Sequence, residues 1–539
     1  MKLLHVPLLA ASILNLGAYA SILINPPAQP ALPSVAQAAS FGLNLTNIQG
    51  DILIGMKKNK ELFFFFKIQD ATAFKSHLGA NILPLITTTT QILSNSPQLT
   101  TLVNIAFSQK GLSALGVTDN LGDTLFFSGQ LNGSSSFNDQ LSNWVPQFAG
   151  SDIDGVLLLA SDTVDNVDST LSTIQSSING SISEVYRIQG AARPGDQQGH
   201  EHFGFMDGIS NPTISGFAAP ALPGTIVHPG QAVVAPGIIL VGEQGDPSLS
   251  SRPAWALDGS FLAFRQLQQR VPEFNKYLLD NALSEPNFTV QENADLLGAR
   301  MMGRWKSGAP IDLTPLADDP VLANDPNRNN NFNYTHPTFD IKSDQTHCPF
   351  SAHIRKTNPR ADLAAGFNNH IIRAGIPYGP EVTSDEASAS ASSTDPTLER
   401  GLAFVAYQSS ISTGFAFLQK AWASNANFHT VLHLLIHIIP FLSRLLQLGK
   451  WHDHFTGKCA RTDCHSSFFF FLCLFKIDYS TGEDPIIGVA AGDGPRHPSG
   501  LDPQNSTRVM TIEQDFVVSR GGEYFFSPSL LALQNTLSV

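Results

Sequence analysis

Residues 62–68 read LFFFFKI, and few segments leave a chain less freedom. The run is short, mainly aromatic and preceded by a charged turn, so it reads as a strand buried against apolar neighbours. Residues 154–162, DGVLLLASD, have the same character, and residues 164–178 behind them carry the spacing of an amphipathic helix. Strands and helices therefore alternate in the first half, with helical spacing and polar faces expected across 71–116. Further on, 238–242, 260–266 and 401–408 read as strands, and 271–283, 290–303 and 412–423 as helices. Residues 214–236, dense in Gly, Pro and Ala, read as a long ordered loop or a boundary between halves, 318–333 as a polar loop, and 386–395, EASASASSTD, as exposed.

A chain of 539 residues exceeds one ordinary domain, so two domains or one double domain behind a leader is expected. Charged residues are 14% and the net charge is −13, which argues against nucleic acid or an anionic membrane as the main partner. Residues 1–20 combine Lys2, an apolar run and small residues at Ala18 and Ala20, the pattern of a secretory signal, with a membrane anchor as the weaker alternative. Residues 21–40, rich in Pro, Ala and Ser, read as a pro-segment. Asn-x-Ser/Thr sequons at Asn44, Asn132, Asn179, Asn287, Asn333 and Asn505 would accept glycans on an exported chain. The cysteines, Cys348, Cys459, Cys464 and Cys473, are too few for a disulfide-framed fold, so a large core must stabilise the protein.

Residues 429–475 differ from the rest in character. They hold HTVLHLLIHIIPFLSRLLQLGKW, GKCARTDCH and SSFFFFLCLF, and three of the four cysteines. A membrane hairpin is opposed by Pro440 and by runs too short to span a bilayer. A zinc site from Cys459, Cys464, His452, His454 and His465 lacks a strong ligand spacing. An insertion or retained intron is the favoured reading.

The chemistry concentrates in residues 200–212, HEHFGFMDGISNP, where Asp207 stands between Gly204 and Gly208. Glycines permit backbone angles and close approaches that a Cβ forbids, so a flat ligand could lie against the main chain. A carboxylate held against apolar walls is expected to have a raised pKa and to move protons. The alternative is an ordinary Asp-Gly turn. A second cluster follows in QTHCPFSAHIRKTNPR, residues 345–360, and IIRAGIPYGP, residues 371–380. His347 and His353 are candidate iron ligands, or hydrogen-bonded structural residues. Arg355, Lys356 and Arg360 could grip carboxylates, or form a solvated basic face. Arg373 lies in an apolar stretch and needs an anionic partner, for which Asp207 is available.

These motifs, with FVVSRGGEYFFSPSL near the C-terminus, resemble the secreted fungal dye-decolourising peroxidases, and the resemblance covers the chain from about residue 41 except the stretch after Phe428. It implies an α+β fold of two ferredoxin-like halves, antiparallel sheets with peripheral helices in a barrel-like arrangement, at 41–215 and 216–539. It implies one haem b per chain, held mainly by the second half, with His353 as proximal iron ligand and His347 as the lesser candidate. Asp207 becomes the distal acid–base group and Arg373 its partner. Leu402 and Phe404 line the distal face, Arg355 belongs to the cofactor-binding set, and Asp484 in GEDPIIG is an acceptor for His353. Peroxide and aromatic reductants are the implied substrates, with acidic working conditions. Bulky dyes and lignin-like phenols would be oxidised at the surface through Tyr378 and Trp422, for which core packing is the alternative role.

The chain departs from the family pattern in two places. The stretch after Phe428 interrupts the run from Trp422 to GEDPIIG, and Ala374 stands where a second basic residue is common. Other readings are chlorite dismutase-like or hydrolytic chemistry, and a non-enzymatic haem-binding or iron-delivery protein of the same fold. A monomer and a homodimer are both compatible with the sequence.

Overall fold

The computed structural model describes residues 42–427 and 481–539, apart from 57–58, 95–98, 151, 218–226, 339, 342, 364–367 and 491–493. The leader at 1–20, the pro-segment at 21–40 and the stretch 429–475, with three of the cysteines, lie outside the described residues.

Strands β1 (Lys60–Ile68), β2 (Thr101–Phe107), β3 (Gly155–Ser161) and β4 (Ile182–Ala191) form an antiparallel sheet in the order β2-β3-β1-β4. The second half repeats this with β5 (Ser260–Gln269), β6 (Ile372–Arg373), β7 (Ile376–Tyr378), β8 (Gly401–Gln408) and β9 (Val517–Ser527). There β9, β5 and β8 lie side by side, and β6 and β7 are two pieces of one edge along β8. Both halves therefore have the fourth-first-third-second strand order of a ferredoxin-like unit. β4 meets β7 at Gly190 and Tyr378, and β2 meets β9 at Phe107 and Phe526, which joins the halves into a closed antiparallel barrel.

The phenylalanine run shows why the barrel closes. Phe63 and Phe65 point inward, where they meet Phe264, Val405, Tyr407 and Phe525. Leu62, Phe64 and Phe66 point outward against Val167, Leu171 and Ile174 of helix α1 (Val164–Ser177). Burial on both faces makes the strand continuously apolar, and each such ring contributes roughly 1.5–3 kcal/mol by leaving water. The capping hydroxyl of Thr163 accepts from the Asn166 N–H and starts α1. The second half packs helices α2 (Val271–Asp280) and α3 (Val290–Met302) in a separate outer core with Phe203 and Phe205.

The structure corrects the sequence reading in several places. Residues 71–116 contain β2, whose neighbours hide it because both its faces are buried. β4 alternates too weakly to stand out. Residues 238–242 are not a strand: a 3₁₀ turn over Pro236–Ile238 leads into a bend whose side chains are buried, and burial mimicked a strand pattern. Residues 384–389 form a short helix whose Glu386 is buried and paired with Arg400 at 2.7 Å, so 386–395 is not simply exposed. Among the described residues no helix is long and apolar enough to cross a membrane.

Beyond the segment 428–480 the chain rejoins itself. The Thr481 and Gly482 N–H groups both donate to the Ala426 carbonyl at 3.1 Å.

Candidate functional site

The HEHFGFMDG loop is built to present one carboxylate. Glu201 is buried and accepts from the Phe203 and Phe205 N–H groups at 2.9 Å, while its own N–H donates to the Phe205 carbonyl at 3.0 Å. This hairpin sends Phe203 and Phe205 into the core against Phe274. Gly204 (φ 93°) and Gly208 (φ 77°) take left-handed conformations that a side chain would strain. Asp207 then turns away from the aromatics. Its Oδ1 accepts from the Gly208 N–H at 2.6 Å and from the Arg373 guanidinium at 2.7 Å. Asp207 is thus both the turn residue and an ion-pair partner, and the two readings do not compete.

Arg373 comes from β6. Ile372 beside it enters the barrel interior, so Arg373 points outward, opposite Ala406 of β8 in the register. Leu402 and Phe404 lie on the same outward face of β8, half-buried, because Ala403 and Val405 between them point inward.

Burial pushes the Asp207 carboxyl up, but the Arg373 guanidinium and the Gly208 N–H outweigh it and hold the group below the usual carboxylate range. The expected raised pKa is therefore corrected: Asp207 is an ionised base, because a guanidinium faces it. It lies deep in the protein, yet 35% of its side-chain surface and 34% of that of Arg373 are accessible. Accessible surface on a group so strongly desolvated means that it lines an internal space.

His353 opens helix α4 (His353–Thr357), which ends at Asn358 before Pro359. Its Nδ1 is 2.8 Å from Asp484 Oδ2, and Asp484 is fully buried with Oδ1 accepting from the Ile486 and Ile487 N–H groups. The bond fixes the ring and leaves Nε2 as the atom able to ligate. His347 lies elsewhere, its ring tilted at 44° to that of His336 with centroids 4.0 Å apart.

The basic cluster is not a solvated face. Arg355 forms a two-bond pair with Asp362, both at 2.7 Å, between the rings of Tyr334 and Phe350. Its donors are spent inside the protein, so it supports α4 rather than reaching a cofactor. Lys356 is fully buried, and burial pushes its ammonium down to about 8.

Arg304 and Arg360 were not legible as a pair. They meet at Asn330 Oδ1, 2.8 and 3.2 Å from the two guanidinium groups, and neither has a carboxylate partner among the described residues. The Arg360 Nε is buried without a partner. The terminal nitrogens of Arg304 are spent on Gly308, Asn329, Ser210 and Asn330, and those of Arg360 on Gly230, Asn330 and Phe332, so both guanidinium groups brace the loops around Asn330.

Tyr378 points into the barrel and not toward Asp207. Its hydroxyl donates to Glu399 at 2.8 Å. Trp422 is 5% exposed, edge-on to Phe417, in a π-helical segment (Leu418–Ala423) packed against α4. Neither residue is a surface contact.

The residues present fit a haem: an imidazole fixed through Nδ1, an ionised acid–arginine pair, and an apolar strand face.

Comparison with known proteins agrees. Residues 47–194 match the model described as the DyP dimeric alpha+beta barrel domain, and residues 200–438 match Dyp-type peroxidase, C-terminal. Peroxidase 2 of Mycetinis scorodonius is 61% identical over 532 residues, covering 96% of this chain and 93% of that protein. A dye-decolourising peroxidase of Auricularia auricula-judae is 51% identical over 526 residues, covering 96% and 92%. A crystal structure of the Auricularia enzyme complexed with imidazole superposes with a TM-score of 0.79 at 49% identity, covering 92% of this chain and all of that one.

Proposed function

Because this chain belongs to the DyP-type peroxidase family, and is a haem peroxidase that acts on dyes, we propose how its own residues divide the work. Bound haem would supply the iron and the redox capacity that peroxide reduction needs. His353 holds the iron through Nε2, with Asp484 fixing the ring and raising its basicity. Asp207, kept ionised by Arg373, takes a proton from the nearer peroxide oxygen and returns it to the departing one, which leaves as water. Arg373 stabilises the negative charge that develops on the departing oxygen. Leu402 and Phe404 keep the space narrow.

The observation that carries this reading is the 2.7 Å Asp207–Arg373 pair, with the Asp207 carboxyl held ionised. A carrier of haem or iron is disfavoured by the relatives at 51–61% identity over most of the chain, which are named as peroxidases. Dyes, phenolics and lignin-like compounds too large for the distal space give up electrons at the surface, with Tyr378 and Trp422 as buried stations. Export through residues 1–20 accompanies this reading, and all six sequon asparagines are exposed, as glycan acceptors require.

The purified protein should show a Soret band that shifts on adding an equivalent of hydrogen peroxide and returns when a dye is supplied. A Soret band indifferent to peroxide would sink the assignment of Asp207 and Arg373.

A further inference from the structure

Asn211 lies just past Asp207 and takes no part in proton transfer. Its side-chain amide meets the Arg373 backbone on both sides. The Arg373 N–H donates to Asn211 Oδ1 at 3.1 Å, and Asn211 Nδ2 donates to the Arg373 carbonyl at 2.9 Å. This is the pairing a neighbouring strand would make, supplied by one side chain. It is needed there because β6 is only two residues long, with β8 along one edge alone.

The loop end of the clasp is fastened independently. Asn330 Nδ2 donates to the Ile209 carbonyl at 2.9 Å, Ser210 Oγ donates to Asn330 Oδ1 at 2.6 Å, and Gln231 Nε2 donates to the Asn211 carbonyl at 3.0 Å. Asp207 and Arg373 thus sit on two segments 166 residues apart in sequence, and between them runs one rigid amide.

We infer that Asn211 is a positioning residue: by clasping the Arg373 backbone to the Asp207 loop it sets the separation of the distal pair. The inference rests on Asp207 and Arg373 being the peroxide-handling pair. The charged groups around Asp207 are Arg373, His353 and Glu201, and Arg304 faces Arg373. A retreat of Arg373 leaves burial at Asp207 opposed by the Gly208 N–H alone. The acid limb of the pH–rate profile must then move upward.

The test is stopped-flow reduction of peroxide by the holoenzyme across pH, with Asn211→Ala, Asn211→Asp and Arg373→Leu beside the parent. Asn211→Ala should keep its Soret band and its KM for dye. Its second-order rate with peroxide should fall on the order of tenfold to a hundredfold, as small misplacements of reacting groups do, and its acid limb should shift up. Asn211→Asp keeps the shape and the bond from the Arg373 N–H, but an ionised carboxylate cannot donate to the Arg373 carbonyl. Its deficit should grow as pH rises through the carboxyl range and shrink where the introduced carboxyl is protonated. If Asn211→Ala does not accumulate, this pH-dependent rescue decides alone. Parental rates and profiles in both Asn211 variants, with Arg373→Leu impaired, would overturn the inference. An unimpaired Arg373→Leu would instead remove the reading beneath it.

Discussion

Two desolvated acids in this barrel have opposite fates. Asp51, in the barrel interior of the first half, is fully buried; its Oδ2 accepts from the Tyr407 hydroxyl at 2.6 Å and its Oδ1 from the Met56 N–H at 2.9 Å. No cation pairs with it among the described residues. Burial pushes it up to about 6, against the smaller pull of those hydrogen bonds, and nearby Glu61 is pushed well above its ordinary range by burial and by Asp51. Asp207, in the loop that meets the outer face of the second half's sheet, is also strongly desolvated, yet it is held down by Arg373 of that sheet. Burial alone makes a carboxyl that keeps its proton; a guanidinium facing it makes a base. The two ferredoxin-like halves share a strand order and differ in what they place beside their acids.

The most severe test of this contrast is Arg373→Leu, which makes Asp207 resemble Asp51. Losing one charge-stabilising donor should slow the peroxide reaction by roughly 10²–10³-fold, and the acid limb of its pH profile should move up. Stopped-flow rates measured across pH check both. Next comes Asp484→Asn, which leaves the distal pair alone. It should weaken haem retention by roughly 10–100-fold, read by titrating apoprotein with haemin, and leave the Asp207-controlled limb in place.

Asp51→Asn acts on the other acid. A raised folded pKa stabilises most below the ordinary value of 3.8 and loses that contribution as pH rises through about 6. The variant should therefore flatten the dependence of Tm on pH over that window and leave the peroxide rate unchanged. A changed peroxide rate would mean that the barrel interior and the outer site are coupled.

The smallest effect is expected from joining Asn427 to Thr481. The Gly482 N–H already reaches the Ala426 carbonyl at 3.1 Å, the bond a four-residue turn makes once 428–480 is gone. If that segment is a retained intron or insertion, the shortened protein should bind haem with the parental Soret band. Loss of haem on deletion would show that the segment belongs to the fold, and sequencing the spliced transcript gives an independent answer.

How legible the molecule was depended on where its information lies. The phenylalanine run, β3, β5, β8 and helices α1 to α3 announce themselves through periodicity because both faces of each strand, or one face of each helix, meet apolar neighbours. β6 and β7 are too short to carry a period, and β4 and β9 mix polar residues into their faces. The Asp207–Arg373 pairing is legible from the residues themselves and His353 as one of two histidine candidates, while the choice of His353 and its partner Asp484 comes through motif resemblance; the structure brings the four together as two pairs. The state of Asp207 was misjudged because apolar neighbours in sequence, Phe203, Phe205 and Met206, turn away from it, while its true neighbour is 166 residues off. Asn211, Arg304 and Asn330 carry no sequence signal, since their roles exist only once distant backbone is folded against them.

The central claim is that an ionised Asp207 handles the peroxide proton. Stopped-flow mixing of Asp207→Asn holoenzyme with hydrogen peroxide tests it most directly. The account predicts an intact Soret band and a peroxide rate lowered by roughly 10²–10⁴-fold, the usual worth of a positioned acid–base group. A rate equal to the parent's, with haem fully bound, would contradict it.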